Sequence, residues 1–137
     1  MKKVEIEKDL RIFYVTATSY PNGISDAIQK LHSLIPFSVN RRYINISRPE
    51  ENSKIVYRAG ATEIEVGDLN KLDLQELIVK KGVYYCIEVD DFRADIAAIG
   101  RAFEKLLSQT NIDPQGYCVE WYSNNKEMVK CMVKIND

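Results

Sequence analysis

The order of hydrophobic patterns constrains this chain most, because the order runs through once and then repeats. Residues 4–18 alternate and turn apolar at Ile12, Phe13, Tyr14 and Val15, which predicts a strand with a bulge near Asp9. Pro21-Asn22-Gly23 breaks it. Ile24, Ala27, Ile28, Leu31 and Leu34 then recur at three-four spacing, predicting a helix over 22–35 that Pro36 ends. A short strand (42–47), a turn (48–53) and a long strand rich in β formers (54–66) follow.

The second round opens with a strand over 82–89. Asp90 or Asp91 is placed to cap a helix over 91–108, with Phe92, Ile96, Ile99, Phe103 and Leu106 or Leu107 on one face. Strands over 117–122 and 128–135 flank a turn at Ser123–Lys126. Between the rounds lies a connector, 69–81, held to the core by Leu69, Leu72, Leu74, Leu77, Ile78 and Val79.

Each half reads strand, helix, strand, strand. That order predicts an α+β fold: two β-α-β-β modules with pseudo-two-fold symmetry, in which an antiparallel sheet carries both main helices on one side. A ligand cleft is expected at the seam. The halves span about 1–68 and 82–137 of a single domain, a size of 137 residues that needs neither disulfide nor metal to hold a core. They share little residue identity, so the repeat is one of pattern.

Composition narrows the function. Nineteen basic residues face twenty acidic ones, with no basic block, so direct nucleic-acid binding is not expected. Cys86, Cys118 and Cys131 have no C-x-x-C spacing and lie in apolar runs, where they act as small hydrophobes. His32, the single histidine, falls in a helical pattern, so no metal site and no histidine-based triad is expected. No motif calls for a cofactor. Met1-Lys2-Lys3 leads directly into Val4, and no apolar run suits a signal peptide or a membrane span. A cytoplasmic protein is the expectation.

Glu120 is the residue out of place. Its strand reads Tyr117-Cys118-Val119-Glu120-Trp121-Tyr122. Alternation puts Glu120 and Tyr122 on one face and sends Trp121 to the other, into the packing expected under the helices. With both faces covered, the carboxylate loses water and its pKa should rise. Such a group can neutralise an organic cation stacked on aromatic rings, or act as a general acid or base. The alternative is an exposed glutamate paired with Lys130 or Lys134. Tyr43, Tyr57, Tyr84, Tyr85, Tyr122 and Trp121 on the strands supply aromatic wall material.

The chain resembles the GyrI-like small-molecule-binding family, also seen as the effector-binding domain of bacterial transcription activators. The resemblance covers nearly the whole chain. It rests on Ala17-Thr18-Ser19-Tyr20-Pro21-Asn22-Gly23-Ile24, Tyr43 with Ile46-Ser47-Arg48-Pro49, Gly82-Val83-Tyr84 and Val119-Glu120-Trp121-Tyr122. It implies two modules around an aromatic pocket reached by a glutamate of an E-x-Y segment, here Glu120 and Tyr122, with Tyr43 on the wall. Tyr84 completes the set of candidate ligand-binding residues. No helix-turn-helix precedes Val4, so DNA binding is not carried over.

Three functions stay open at this point. The first is a module that binds a lipophilic small organic ligand, cationic or neutral, as a sensor or sequestering protein. The second is a hydrolase of reactive hydrophobic compounds with Glu120 as catalytic residue, of the cyclopropane-containing class that the resemblance implies. The third is a protein-interaction module of the gyrase-protecting type, whose partner would be a protein. Nothing in the residues bears on homo-oligomerisation.

Overall fold

The computed structural model describes residues 1–123 and 127–136. Among these, the strands are β1 (Lys2–Ile6), β2 (Leu10–Thr16), β3 (Tyr43–Pro49), β4 (Ile55–Ala61), β5 (Gln75–Val79), β6 (Gly82–Asp90), β7 (Cys118–Tyr122) and β8 (Met128–Lys134). The helices are α1 (Ile24–Leu34) and α2 (Ala97–Leu107). One antiparallel sheet holds all eight strands in the order β1-β6-β8-β7-β3-β4-β2-β5. The turn expected at Ser123–Lys126 lies, beyond Ser123, outside the described residues.

That order is a palindrome about the central β3–β7 pair. On one side run the second, third and first strands of the first module (β3, β4, β2), and on the other those of the second (β7, β8, β6). The outermost strands are exchanged. β1, which precedes the first module, pairs with β6 of the second, and β5, which precedes the second, pairs with β2 of the first. The two turns at which this happens touch, because Asp9 Oδ1 accepts a hydrogen bond from the Lys81 amide at 2.8 Å.

The exchange corrects three expectations. Residues 4–18 form two strands with different partners instead of one bulged strand. The connector 69–81 contains β5, an edge strand pinned to β2 by the bidentate Arg11–Glu76 pair, both bonds 3.0 Å. The long strand over 54–66 stops at Ala61, and Ile64 and Val66 beyond it are exposed. A fourth correction concerns α2, which begins at Ala97 and not near Asp91. Asp91 takes a left-handed φ of 50°, which an α-helix cannot contain. Phe92 is buried all the same, but from a loop, its ring 5.3 Å from that of Tyr122.

Both helices lie on one face of the sheet, as the two-layer order demands. The α1 stripe, with Ala27 and Leu31, packs on Phe13, Tyr43, Ala59 and Ala61. The α2 stripe, with Ala102 and Leu106, packs on Val89, Val129, Cys131 and Val133. Leu31 and Leu106 are fully buried, each contributing about 1.5–3 kcal/mol. The sheet curls around its other face. There Ile6 of β1 and Val79 of β5, the two ends of the strand order, join Ile12, Ile44, Ile46, Val119 and Met132 in one cluster.

The cysteines belong to this packing. Burial, followed by the charge of Glu120, raises the Cys118 thiol to about 11 and the Cys131 thiol to about 12. Against a free thiol near 8.5, the native thiols should react with Ellman's reagent about a hundredfold more slowly or worse. All three should react once the chain is unfolded in denaturant. One rapidly labelled cysteine in the native protein would contradict this packing.

Candidate functional site

Strand alternation builds the floor of a site at the centre of the palindrome. In the β3–β7 register Tyr43 faces Tyr122 and Asn45 faces Glu120, and all four side chains point to the helix side. Tyr57 of β4 joins them from the neighbouring strand. Tyr122 packs with both helix-side clusters, which places it at the seam between the modules.

Above this floor a cleft of about 1150 Å³ opens between α1 and α2. Ile24, Ile28 and Leu31 of α1 form one wall, and Phe92, Ile96 and Ile99 the other. Phe37 stacks on Tyr43 with centroids 5.5 Å apart and planes at 4°, and His32 tilts onto the same ring at 5.1 Å. At the rim Arg93 and Glu127 form an exposed ion pair of 3.3 Å. The cleft therefore presents ring faces and aliphatic walls, with Asn45 on its floor and further polar groups, Ser25, Gln29, Arg93 and Glu127, around it.

Glu120 lies beneath that floor, behind Tyr122 and Asn45, and is 7% exposed. Its Oε1 accepts two hydrogen bonds, from the Tyr57 hydroxyl at 2.8 Å and the Tyr122 hydroxyl at 2.6 Å. Burial pushes the Glu120 carboxyl above its ordinary range, and the two phenol donors pull against that shift. Burial and then the charge of Glu120 also push the Tyr57 and Tyr122 hydroxyls upward, so both remain protonated donors. Two donors on one oxygen suit a carboxylate, which can only accept.

The exposed alternative for Glu120 does not hold. Its neighbour on β8 is Cys131, while Lys130 stands opposite Trp121 on the other face. Trp121 does point away from Glu120, but the helices are on Glu120's side. It packs instead against the cluster inside the curl, with the Arg42 guanidinium 5.2 Å from its ring.

Tyr84 is corrected too. It belongs to the cluster inside the curl, 2% exposed, and its hydroxyl donates to the Lys80 carbonyl at 2.6 Å. Alternation along β6 turns Tyr85 and Ile87 toward the helices and Tyr84 away. Tyr43 does line the cleft, but the second ring bonded to Glu120 besides Tyr122 is Tyr57. Asn45 was missed, although it carries the signal that singled out Glu120. It is a polar residue between apolar neighbours, Ile44 and Ile46, in mid-strand.

Among the described residues no group of three or more His, Cys, Asp or Glu side chains could hold a metal ion. Among them no helix is long and apolar enough to cross a membrane.

No family model matches the sequence, and no curated protein matches it. Solved structures share its fold at low identity. SAV2435 bound to tetraphenylphosphonium aligns with a TM-score of 0.68 and 11% identity, over 98% of this chain and 93% of that one. An integron cassette protein from the mobile metagenome of Vibrio cholerae aligns with a TM-score of 0.63 and 11% identity, over 98% and 95%. A candidate bacterial transcription regulation protein from Staphylococcus aureus MU50 aligns with a TM-score of 0.62 and 12% identity, over 99% and 97%. At these identities the likeness is one of fold.

Proposed function

We propose that this chain is a GyrI-like small-molecule-binding module that takes lipophilic organic cations into the cleft between α1 and α2, as a sensor or sequestering protein. The observation that carries the reading is Glu120, a carboxylate held by two tyrosine donors beneath an aromatic cleft. A buried negative charge is attractive to a cation through a low-dielectric wall, where Coulomb energy is weakly screened. The rings of Phe37, Tyr43, Phe92 and Tyr122 add flat faces that a cation's aromatic body can stack on. The tetraphenylphosphonium held by SAV2435, a structure of the same fold, is a ligand of this chemistry.

Tetraphenylphosphonium and its neutral relative triphenylphosphine oxide separate charge from shape. Calorimetric titration at neutral pH should show the cation bound more tightly. Its affinity should fall on acidification through the raised range of Glu120, because protonation removes the attracting charge. The neutral compound should not share that loss. Equal affinities with no difference in pH response would count against the proposal.

A hydrolase reading has a geometric basis as well. The Tyr122 hydroxyl belongs to a cleft-lining residue and bonds Glu120, so it can pass a proton between ligand and carboxylate. We rank it second because Glu120 itself is covered, and turnover of a cyclopropane-containing substrate would reverse the order. The protein-interaction reading calls for a filled or absent pocket, and the open cleft favours a ligand.

A further inference from the structure

The ladder between β3 and β4 has a gap at the cleft floor. Tyr43 pairs with Ala61, and pairing resumes at Ile46 with Arg58. Within the gap the Gly60 amide has a side-chain partner on β3. It donates to the side chain of Asn45, at 3.2 Å from Oδ1. The other end of the same carboxamide, Nδ2, donates to the Tyr57 hydroxyl oxygen at 3.0 Å. Asn45 is 5% exposed, Tyr57 is 4% exposed, and Asn45 is also part of the cleft lining.

These contacts leave no freedom in direction. An amide N–H can only donate, so the Asn45 oxygen must face Gly60 and its NH2 must face Tyr57. Flipping the carboxamide would set two donors against each other at Gly60. With its oxygen accepting a hydrogen bond from Asn45, the Tyr57 hydroxyl has its own hydrogen to place, and the carboxylate within reach is Glu120 Oε1 at 2.8 Å. Donation to a phenol oxygen also strengthens that phenol as a donor.

We infer that Asn45 is a positioning residue: clamped between Gly60 and Tyr57, it commits the Tyr57 hydroxyl to Glu120 and so gives the cleft its preference for cations over neutral ligands. The inference rests on the reading of the cleft as a cation site. A leucine at position 45 would keep the volume and lose both bonds. Tyr57 would then be able to turn its hydrogen elsewhere, leaving Tyr122 as the committed donor to Glu120 among the described residues. Among the described residues the groups that face Glu120 are Tyr57 from β4, Asn45 from β3, Tyr122 and Cys118 from β7, and Cys131 from β8. None of these is a basic side chain that would compensate.

The test uses Asn45→Leu, Tyr57→Phe and the double variant of the full chain, with two readouts. The first is the ratio of tetraphenylphosphonium to triphenylphosphine oxide affinity. It should fall about five- to tenfold in each single variant, the size of one ordinary net hydrogen bond. The double variant should fall no further, because both changes remove the same bond. A merely structural role would lower both affinities and leave the ratio alone. The second readout needs no ligand. The side-chain carboxyl carbon of Glu120, assigned by its absence in Glu120→Gln, is followed by NMR across a pH titration. Its midpoint should move upward in both single variants. Ratio and midpoint unchanged in the two single variants would overturn the inference, as would effects that add in full in the double variant. Should the wild-type protein bind neither compound, the functional reading falls, and the titration alone still decides the role of Asn45.

Discussion

Glu120→Gln should weaken tetraphenylphosphonium binding about ten- to hundredfold and at the same time make the protein more stable at neutral pH. The first effect follows from removing the charge that compensates a desolvated cation, worth about 1.5–3 kcal/mol for a charged hydrogen bond. Neutral ligands should bind nearly as before, because the rings and the shape remain. The second effect follows from linkage. Burial raises the carboxyl of Glu120 in the folded protein above its value in the unfolded chain. The unfolded chain therefore gives up this proton first as pH rises. Stability is lost through the window from the unfolded to the folded pKa, and the cost persists in full above it. An uncharged amide of the same shape escapes that cost, and its oxygen can still accept from the two tyrosine hydroxyls. The gain should be about 1 kcal/mol, the range typical when a functional site is relieved. It should shrink in acid, where the wild-type carboxyl is itself protonated. Thermal melts at both pH values and calorimetry on one preparation would decide. A variant that melts lower at neutral pH and binds the cation as tightly as wild type would make Glu120 a structural residue.

Gly60→Val should cost about 3 kcal/mol or more, because the added side chain has no space in the sheet. A Cβ at Gly60 would stand 2.4 Å from Ile12 Cγ2 and 2.6 Å from the Ile44 carbonyl oxygen. Ile12 is fully buried and the carbonyl belongs to the adjacent strand, so neither can step aside without moving the sheet. Gly60→Ala meets the same two atoms and should be nearly as costly. Gly100 is the control. Its added Cβ meets nothing within 4 Å in the middle of α2, so Gly100→Ala should stabilise by about 0.5–1 kcal/mol. Urea midpoints at constant slope provide the comparison. If Gly60→Val and Gly100→Ala shifted the midpoint alike, the close approach of β4 to β2 and β3 would be wrong.

Some of this architecture is readable in local patterns. The stripe from Ile24 to Leu34 predicts α1 to within two residues at either end, because a helix that buries one face must repeat its apolar residues at three-four spacing. Glu120 stands out because a carboxylate among aromatic and apolar strand residues has no cheap place to go. The start of α2 was not readable in this way. Phe92 and Ile96 continue the helical spacing but reach the cleft from a loop, and only the left-handed turn at Asp91 reveals it. The edge strand β5 was hidden for a similar reason, since its single neighbour, β2, lies some sixty residues away in sequence.

The sequence alone determined periodicity: which apolar residues recur at helical or strand spacing, which residues share a strand face, and that the order occurs twice. Those properties follow from backbone geometry and need no partner. Tertiary structure decided the partners. Alternation separates Tyr84 from Tyr85 and Glu120 from Trp121, but both faces of this sheet are buried, so local pattern cannot say which face carries the helices. Nor can it say that β1 and β5 change modules, or that Tyr57 and Asn45 meet Glu120 from two other strands. Those choices are made by burying two sheet faces at once and by supplying a donor to each buried acceptor, which are conditions on the whole chain and not on any segment of it.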